Sequence, residues 1–204
     1  MPDRPTRIAV LASGAGSTLQ ALLDACTDEA FGVTVVAVGA DRAGTGALKR
    51  AAAAGADTFV VPVEDYPSRL DWDHALTTCV ASHRPDIVLS AGFLKLVGSQ
   101  FLERFGGRFV NSHPALLPAF PGLHAARDAL AYGVKVTGCT LFLVDAGIDS
   151  GPIVAQSVVP VRDDDDEQTL HERIKEAERA VLVDYIGRMA RYGWTVSGRK
   201  VTIP

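Results

Sequence analysis

Ile8-Ala9-Val10-Leu11-Ala12-Ser13-Gly14-Ala15-Gly16-Ser17-Thr18-Leu19-Gln20 is the stretch on which the fold turns. Its first five residues form a short continuous apolar run, the pattern of a strand buried on both faces, and the run breaks off at Ser13-Gly14. From Thr18 to Cys26, leucines and alanines recur at helical spacing. Strand, small-residue loop and helix in that order open a doubly wound α/β sheet, whose ligands bind beyond the carboxyl ends of the strands. Small residues in the loop let backbone N–H groups and hydroxyls approach an anion at the helix N-terminus. A dinucleotide fingerprint would want glycine three positions after Gly16, where Leu19 stands, but Asp41 does follow the second strand where a ribose-binding acid would be. No Gly-Lys-Ser/Thr is present, which excludes a nucleoside triphosphate loop at the level of motif. A sugar monophosphate fits best, with a plain tight turn as the alternative.

The alternation continues outward from this unit. Val33–Val38 reads as a second strand, Ala47–Ala54 as an alanine-rich helix closed by Gly55, and Thr58–Val63 as a third strand. Ser68 is placed to cap a helix from Arg69 to His83, which Pro85 limits on its far side. Ile87–Ala91 is a fourth strand, Leu94–Phe105 is expected to be largely helical, and Phe109-Val110 begins a fifth strand. The proline-rich stretch from Pro114 to Gly122 is too apolar for a free linker and should pack on the body and shape a pocket. After a helix from about His124 to Tyr132, Val136–Val144 and Ile153–Val161 are joined too closely for a crossover helix and should pair as a hairpin. The acidic run Asp163–Glu167 suits the N-terminus of a long helix, roughly Gln168–Met189, better than a metal site. The tail, Trp194–Ile203, is expected to add an edge strand. The expected fold class is therefore α/β: a doubly wound, mainly parallel sheet with a C-terminal antiparallel hairpin and a long helix.

Composition sets bounds on function. A chain of 204 residues with 48% hydrophobic and 22% charged residues is enough for one large domain with a good core. Its net charge of −4 gives no general attraction to nucleic acid or to an acidic membrane, so an anionic substrate needs a local basic site. Cys26, Cys79 and Cys139 are odd in number and lack metal-ligand spacing, the pattern of reduced, partly buried thiols in a cytoplasmic protein. The lead-in Met1-Pro2-Asp3-Arg4 precedes an apolar run too short for a signal peptide, and no later run approaches a membrane span.

Asn111-Ser112-His113-Pro114, with Asp149 further on in Gly147-Ile148-Asp149-Ser150-Gly151-Pro152, supplies an amide, an imidazole and a carboxylate near the ends of apolar runs. Asn111 can donate to an oxygen, His113 can give or take a proton near neutral pH, and Asp149 can orient the imidazole and stabilise its charged form. That set suits acyl or formyl transfer better than hydride transfer or metal chemistry. Taken singly, each residue has a plainer explanation, as a turn cap or a satisfied core histidine.

With these residues in hand, the chain resembles the phosphoribosylglycinamide formyltransferases, the folate-dependent formylating enzymes of purine synthesis, nearly end to end. The resemblance rests on Ser13-Gly-Ala-Gly-Ser17 with Leu19-Gln20, and on Pro85-Asp-Ile-Val-Leu-Ser-Ala-Gly-Phe93. It rests equally on Asn111-Ser-His-Pro-Ala-Leu-Leu-Pro118 with Pro121-Gly-Leu-His124, on Gly138-Cys-Thr140, on Asp149-Ser-Gly-Pro152, and on a late helix holding Glu178. It implies a Rossmann-like formyltransferase fold in a single domain, 1–204. Residues about 1–105 would form the phosphate-binding half and about 106–204 the folate and catalytic half. It implies the catalytic trio Asn111, His113 and Asp149, phosphoribosyl contacts at Gly16, Ser17 and Thr18, and an amine contact at Glu178. A folate pocket is implied at Leu94, Lys95, Leu96 and Val97, at Asn111, and along Asp145, Ala146, Gly147, Ile148 and Asp149, with Arg69 a further folate position. Thr18 stands where many members have Asn, and Lys175, one turn before Glu178, replaces a neutral polar residue of some relatives and would add charge near the substrate.

The implied reaction moves the formyl group of 10-formyltetrahydrofolate, a co-substrate, to the amine of 5-phosphoribosylglycinamide, giving the formylated amide and tetrahydrofolate with no metal. The partners implied are small molecules, with no nucleic acid and no membrane, and a homodimer is open to it. Rival readings are a methionyl-tRNA formyltransferase, which should carry an added nucleic-acid domain, a formyl-folate hydrolase, which would not need a phosphate loop, and an NAD-dependent or non-catalytic Rossmann module resting on Gly14, Gly16 and Asp41.

Overall fold

In a computed structural model that describes residues 4–204, the apolar runs become the strands of one sheet. Met1, Pro2 and Asp3, read above as the lead-in to the first strand, lie outside the described residues. The strands are β1 (Thr6–Leu11), β2 (Val33–Ala40), β3 (Asp57–Val60), β4 (Ile87–Ser90), β5 (Phe109–His113), β6 (Val136–Leu143), β7 (Ile153–Pro160), β8 (Thr195–Ser197) and β9 (Lys200–Thr202). The helices are α1 (Ser17–Ala25), α2 (Gly46–Ala53), α3 (Arg69–Ser82), α4 (Ser99–Phe105), α5 (Ala125–Tyr132) and α6 (Glu167–Tyr192). The sheet order is β3-β2-β1-β4-β5-β6-β7-β9-β8, parallel from β3 through β5 and antiparallel from β5 to β6 and from β6 to β7.

Alternation along β1 divides the core into two layers. Ile8 and Val10 face α1, α2 and α6 through Leu19, Leu22, Ala47, Leu182 and Ile186, whereas Ala9 and Leu11 face α3 and α4 through Trp72, Leu76, Phe101 and Phe105. A smaller apolar cluster of Ala126, Cys139, Val159, Leu170 and Ile174 seats α5 and the start of α6 on the hairpin. Ser68 caps α3 by accepting from the Asp71 amide, and Asp166 and Thr169 form a reciprocal capping box at α6. The acidic run thus starts a helix, with Asp165 paired to Arg173 at 2.6 Å.

Two expectations are corrected, and the edge expected of the tail is found with a second strand beside it. The segment from Leu94 to Phe105 is helical only from Ser99, because the buried Asp73 carboxylate of α3 caps α4 from outside. It accepts from the amides of Gly98, Gln100 and Phe101 at 2.6, 3.0 and 3.2 Å, and a Cβ at Gly98 would lie 2.6 Å from it. Residues 94–97 are left as a loop. The third strand stops at Val60, and Val63–Asp65 form a 3-10 turn instead. The tail forms a hairpin, β8 with β9, of which β9 joins β7 in parallel.

Candidate active site

The loop after β1 is shaped by one glycine. Gly16 has φ 76°, and a Cβ there would come within 2.7 Å of the Ala47 Cα, so α1 and α2 can approach as they do only with glycine at this position. Gly16 also offers no side chain to cap α1, and the first turn carries no acid, so the first amides of the helix have no side-chain acceptor at the cap. Ser17 is exposed and Thr18 half-buried at this helix start. Two arginines lie against this loop: Arg50 donates to the Ala15 carbonyl at 3.0 Å, and Arg42 donates to the Ser13 carbonyl at 2.5 Å. Neither arginine stood out in the sequence, since each lies in an ordinary loop or helix pattern one strand away.

Residues 94–97 sit beside that loop and are tied down at each end. The Leu94 amide donates to Ser13 Oγ at 3.0 Å, the Ser13 amide donates to the Gly92 carbonyl at 3.0 Å, and Gly98 is held by Asp73. Between them Arg69, stacked 4.3 Å from the Trp72 ring centroid, donates to the Leu96 carbonyl. Lys95 lies 3.5 Å from Asp41. Leu94 and Leu96 are 63% and 65% exposed, and Ile148 on the turn after β6 is 61% exposed, so apolar side chains stand open to solvent. Apolar groups left exposed in this way suit a flat, partly apolar ligand.

At the end of β5 the trio assembles. The turn 144–152 starts beside the beginning of β5, where the Val144 amide donates to the Phe109 carbonyl at 2.8 Å, and folds back to bring Asp149 to His113. Asp145 holds the turn by accepting from the Gly147 amide at 3.0 Å and from Ser150 Oγ at 2.6 Å, while Ala146, Gly147 and Ile148 are exposed. Gly151 admits no side chain, because a Cβ would overlap the Leu143 carbonyl.

His113, 4% exposed, has Nδ1 at 3.4 Å from Asp149 Oδ2 and Nε2 at 2.7 Å from the Phe120 carbonyl. Both ring nitrogens therefore face acceptors, and a neutral imidazole could donate to only one of them. Asp149 Oδ2 also accepts from the Gly122 amide at 2.8 Å, so the proline-rich loop and the turn close on one carboxylate. The loop does pack on the body as expected. Ala115 and Leu117 are buried, and Thr140 Oγ1 donates to the Ala115 carbonyl at 2.7 Å and accepts from the Leu117 amide at 3.0 Å. Phe120 and Asp149 hold left-handed backbones, φ 52° and 50°. Asn111, half-buried, shares the strand face of His113.

Glu178 comes to the same strand from the other side. Its carboxylate accepts from Ser112 Oγ at 2.6 Å, so it is no free surface glutamate. Burial pushes its carboxyl above the ordinary glutamate range, against the downward pull of the Ser112 hydrogen bond and of the charges at His113, Lys175 and Arg179. Lys175 itself pairs with Glu172 at 2.9 Å. Ser112 and the Phe120 carbonyl were both missed in the sequence, the first because it reads as a spacer and the second because a backbone group leaves no residue-type signal.

Other features narrow the chemistry. Asp41 is no free ribose acceptor: its side chain is 3% exposed, faces Lys95 and Arg42, and has Oδ1 without a protein partner. The three cysteines are free, with burial pushing Cys139 up to about 12 and Cys26 to about 11, which makes both poor nucleophiles at neutral pH. Among the described residues no helix is long and apolar enough to cross a membrane, and no group of three or more His, Cys, Asp or Glu side chains is placed to hold a metal.

Comparison with known proteins shows the family. The family described as Formyl transferase matches residues 6–186. A phosphoribosylglycinamide formyltransferase of Mycobacterium tuberculosis is 56% identical over 202 residues, covering 99% of this chain and 93% of that protein. The human trifunctional purine biosynthetic protein adenosine-3 is 38% identical over 179 residues, 88% of this chain and 18% of its own length. The crystal structure of glycinamide ribonucleotide transformylase 1 from Symbiobacterium toebii superposes with a TM-score of 0.94 at 42% identity, covering 98% of this chain and 94% of that one.

Proposed function

The chain belongs to the formyl transferase family, and on that premise we propose that it transfers the formyl group of 10-formyltetrahydrofolate to the amine of 5-phosphoribosylglycinamide, in the cytoplasm, for purine biosynthesis. The observation that carries the reading is a single edge of the sheet. There an anion-ready helix start, an open apolar loop and the Asn111–His113–Asp149 cluster lie together.

In this reading the α1 amides with Gly16, Ser17 and Thr18 hold the phosphate, with Arg42 and Arg50 supplying the positive field. Leu94 to Val97 and the turn from Asp145 to Asp149 flank the folate, and Arg69 fixes the first of these segments. Glu178 receives the substrate amine. Attack of the neutral amine forms a C–N bond at the formyl carbon, and the formyl oxygen takes up negative charge. Asn111 and the His113 imidazolium stabilise that oxygen, each donor contributing a few kcal/mol. His113 must exchange the Phe120 carbonyl for that oxygen, and Asp149 holds the ring at Nδ1 while it does so. One proton leaves the attacking nitrogen and one reaches the departing folate nitrogen as its bond to carbon breaks.

Purified protein with both substrates, followed by release of tetrahydrofolate, tests the proposal. Turnover dependent on both substrates is expected. Tight NAD(H) binding without formyl transfer would favour the dinucleotide alternative, and formate release without the amine substrate would favour a hydrolase.

A further inference from the structure

Residues 111, 112 and 113 are consecutive on β5, so their side chains alternate across the sheet. Phe109 packs in the layer beneath α3 and α4, which places Asn111 and His113 on that side. Val110 packs in the layer beneath α6, which places Ser112 on the other. Ser112 Oγ donates to Glu178 Oε1 at 2.6 Å, across 66 residues of sequence. One strand therefore carries the oxyanion donors directly on one face and grips the carboxylate on the opposite face through the residue between them.

We propose that Ser112 is a positioning residue for the substrate amine: its hydroxyl fixes the Glu178 carboxylate at the end of β5, in register with Asn111 and His113. The proposal rests on Glu178 receiving that amine. Without the hydroxyl, Glu178 is tethered only through its own helix, and a long side chain held at one end loses its aim. It also loses a partner that favours the ionised form. Burial works toward the neutral acid, while Ser112 and His113 from β5, and Lys175 and Arg179 from α6, work toward the carboxylate. Lys175 is committed to Glu172, and Cys139 on β6 stays a neutral thiol beside the carboxylate. Among the described residues the Ser112 hydroxyl is thus the one donor bonded directly to the carboxylate, and a charge-assisted bond of this kind is the strong sort.

The test uses the full chain with 10-formyltetrahydrofolate and phosphoribosylglycinamide, comparing kcat and KM across pH for the parent, S112A, S112T and E178Q. S112A is expected to lower kcat/KM for the amine substrate roughly tenfold or more, with the KM of the folate donor unchanged. Its acidic limb should lie at higher pH, because the carboxylate has lost the hydrogen bond that favours its ionised form. S112T, which keeps a hydroxyl, should recover most of both effects. If S112A matches the parent in rate and pH limb while E178Q is impaired, the positioning role is overturned and the Glu178 reading stands. If E178Q itself matches the parent, that earlier reading fails. S112C, with a weaker donor on a similar frame, repeats the test should the alanine variant not fold: a partial loss supports the proposal and parental values overturn it.

Discussion

At the scale of the residue, Asp149 and Glu178 are the two carboxylates whose surroundings predict opposite behaviour. Asp149 faces His113 Nδ1 at 3.4 Å and accepts from the Gly122 amide at 2.8 Å. D149N keeps the shape and an acceptor for Gly122, and asparagine adopts the left-handed backbone as readily as aspartate. Turnover should fall by roughly 10²–10³-fold with binding of both substrates little changed, since only the negative charge facing the ring is lost. A fall in melting temperature with near-normal turnover would assign Asp149 to structure alone. Glu178 is a different case. Burial holds its folded carboxyl above the value it has in the unfolded chain, so the folded state binds the proton more tightly. That contribution to stability is complete below the unfolded range and is lost as pH rises through the raised folded value. E178Q has nothing to titrate there. Its melting temperature should therefore gain on the parent from about pH 4 to neutrality, by about 2–4 °C for each kcal/mol recovered, while use of the amine substrate declines. A melting difference that is flat across this pH range would show that the carboxylate is not strained by burial.

At the scale of the element, Asp73 decides where α4 begins and hence where the loop 94–97 lies. D73A removes the acceptor of three backbone amides at the start of α4, one of them buried, and should cost roughly 2–4 kcal/mol. The folate analogue should bind more weakly to what remains folded, with binding of phosphoribosylglycinamide better preserved because the α1 loop has a second anchor on α2, where the Ala47 amide donates to the Gly14 carbonyl at 3.1 Å. Equal weakening of both ligands would mean that the two loops move as one. This same element shows where sequence reading stopped. β1, β2, β4, the hairpin and α6 were legible because unbroken apolar runs mark buried strands, helical spacing marks helices, and local residues such as Ser68 mark caps. The start of α4 was not, since its cap comes from 25 residues upstream on another helix. In the site, Asn111, His113 and Asp149 were legible as a set of residue types. The grip of Ser112 on Glu178 and of the Phe120 carbonyl on His113 was not, because nothing local marks a contact between distant elements.

At the scale of the whole molecule, stability is graded from the middle of the sheet to its edges. Ile8 to Leu11 on β1 and Ile87 to Leu89 on β4 are fully buried between two helical layers, whereas β8 is an exposed edge strand with no partner beyond β9. Amide hydrogen exchange should be slowest in β1 and β4, at the level of global unfolding, and fastest in Thr195–Ser197. Comparable protection in β8 would point to a partner covering that edge. The functional edge lies between these extremes, and there the molecule keeps two unfavourable backbones, at Phe120 and Asp149. Glycine would ease either kink. Yet these are the two residues that hold the two nitrogens of His113. Glycine at 149 deletes the carboxylate, and glycine at 120 lets its carbonyl swing away from the ring. Selection for heat resistance and selection for growth without supplied purines would therefore pull positions 120 and 149 in opposite directions. The residues that descendants keep there would record which of the two pressures their lineage had lived under.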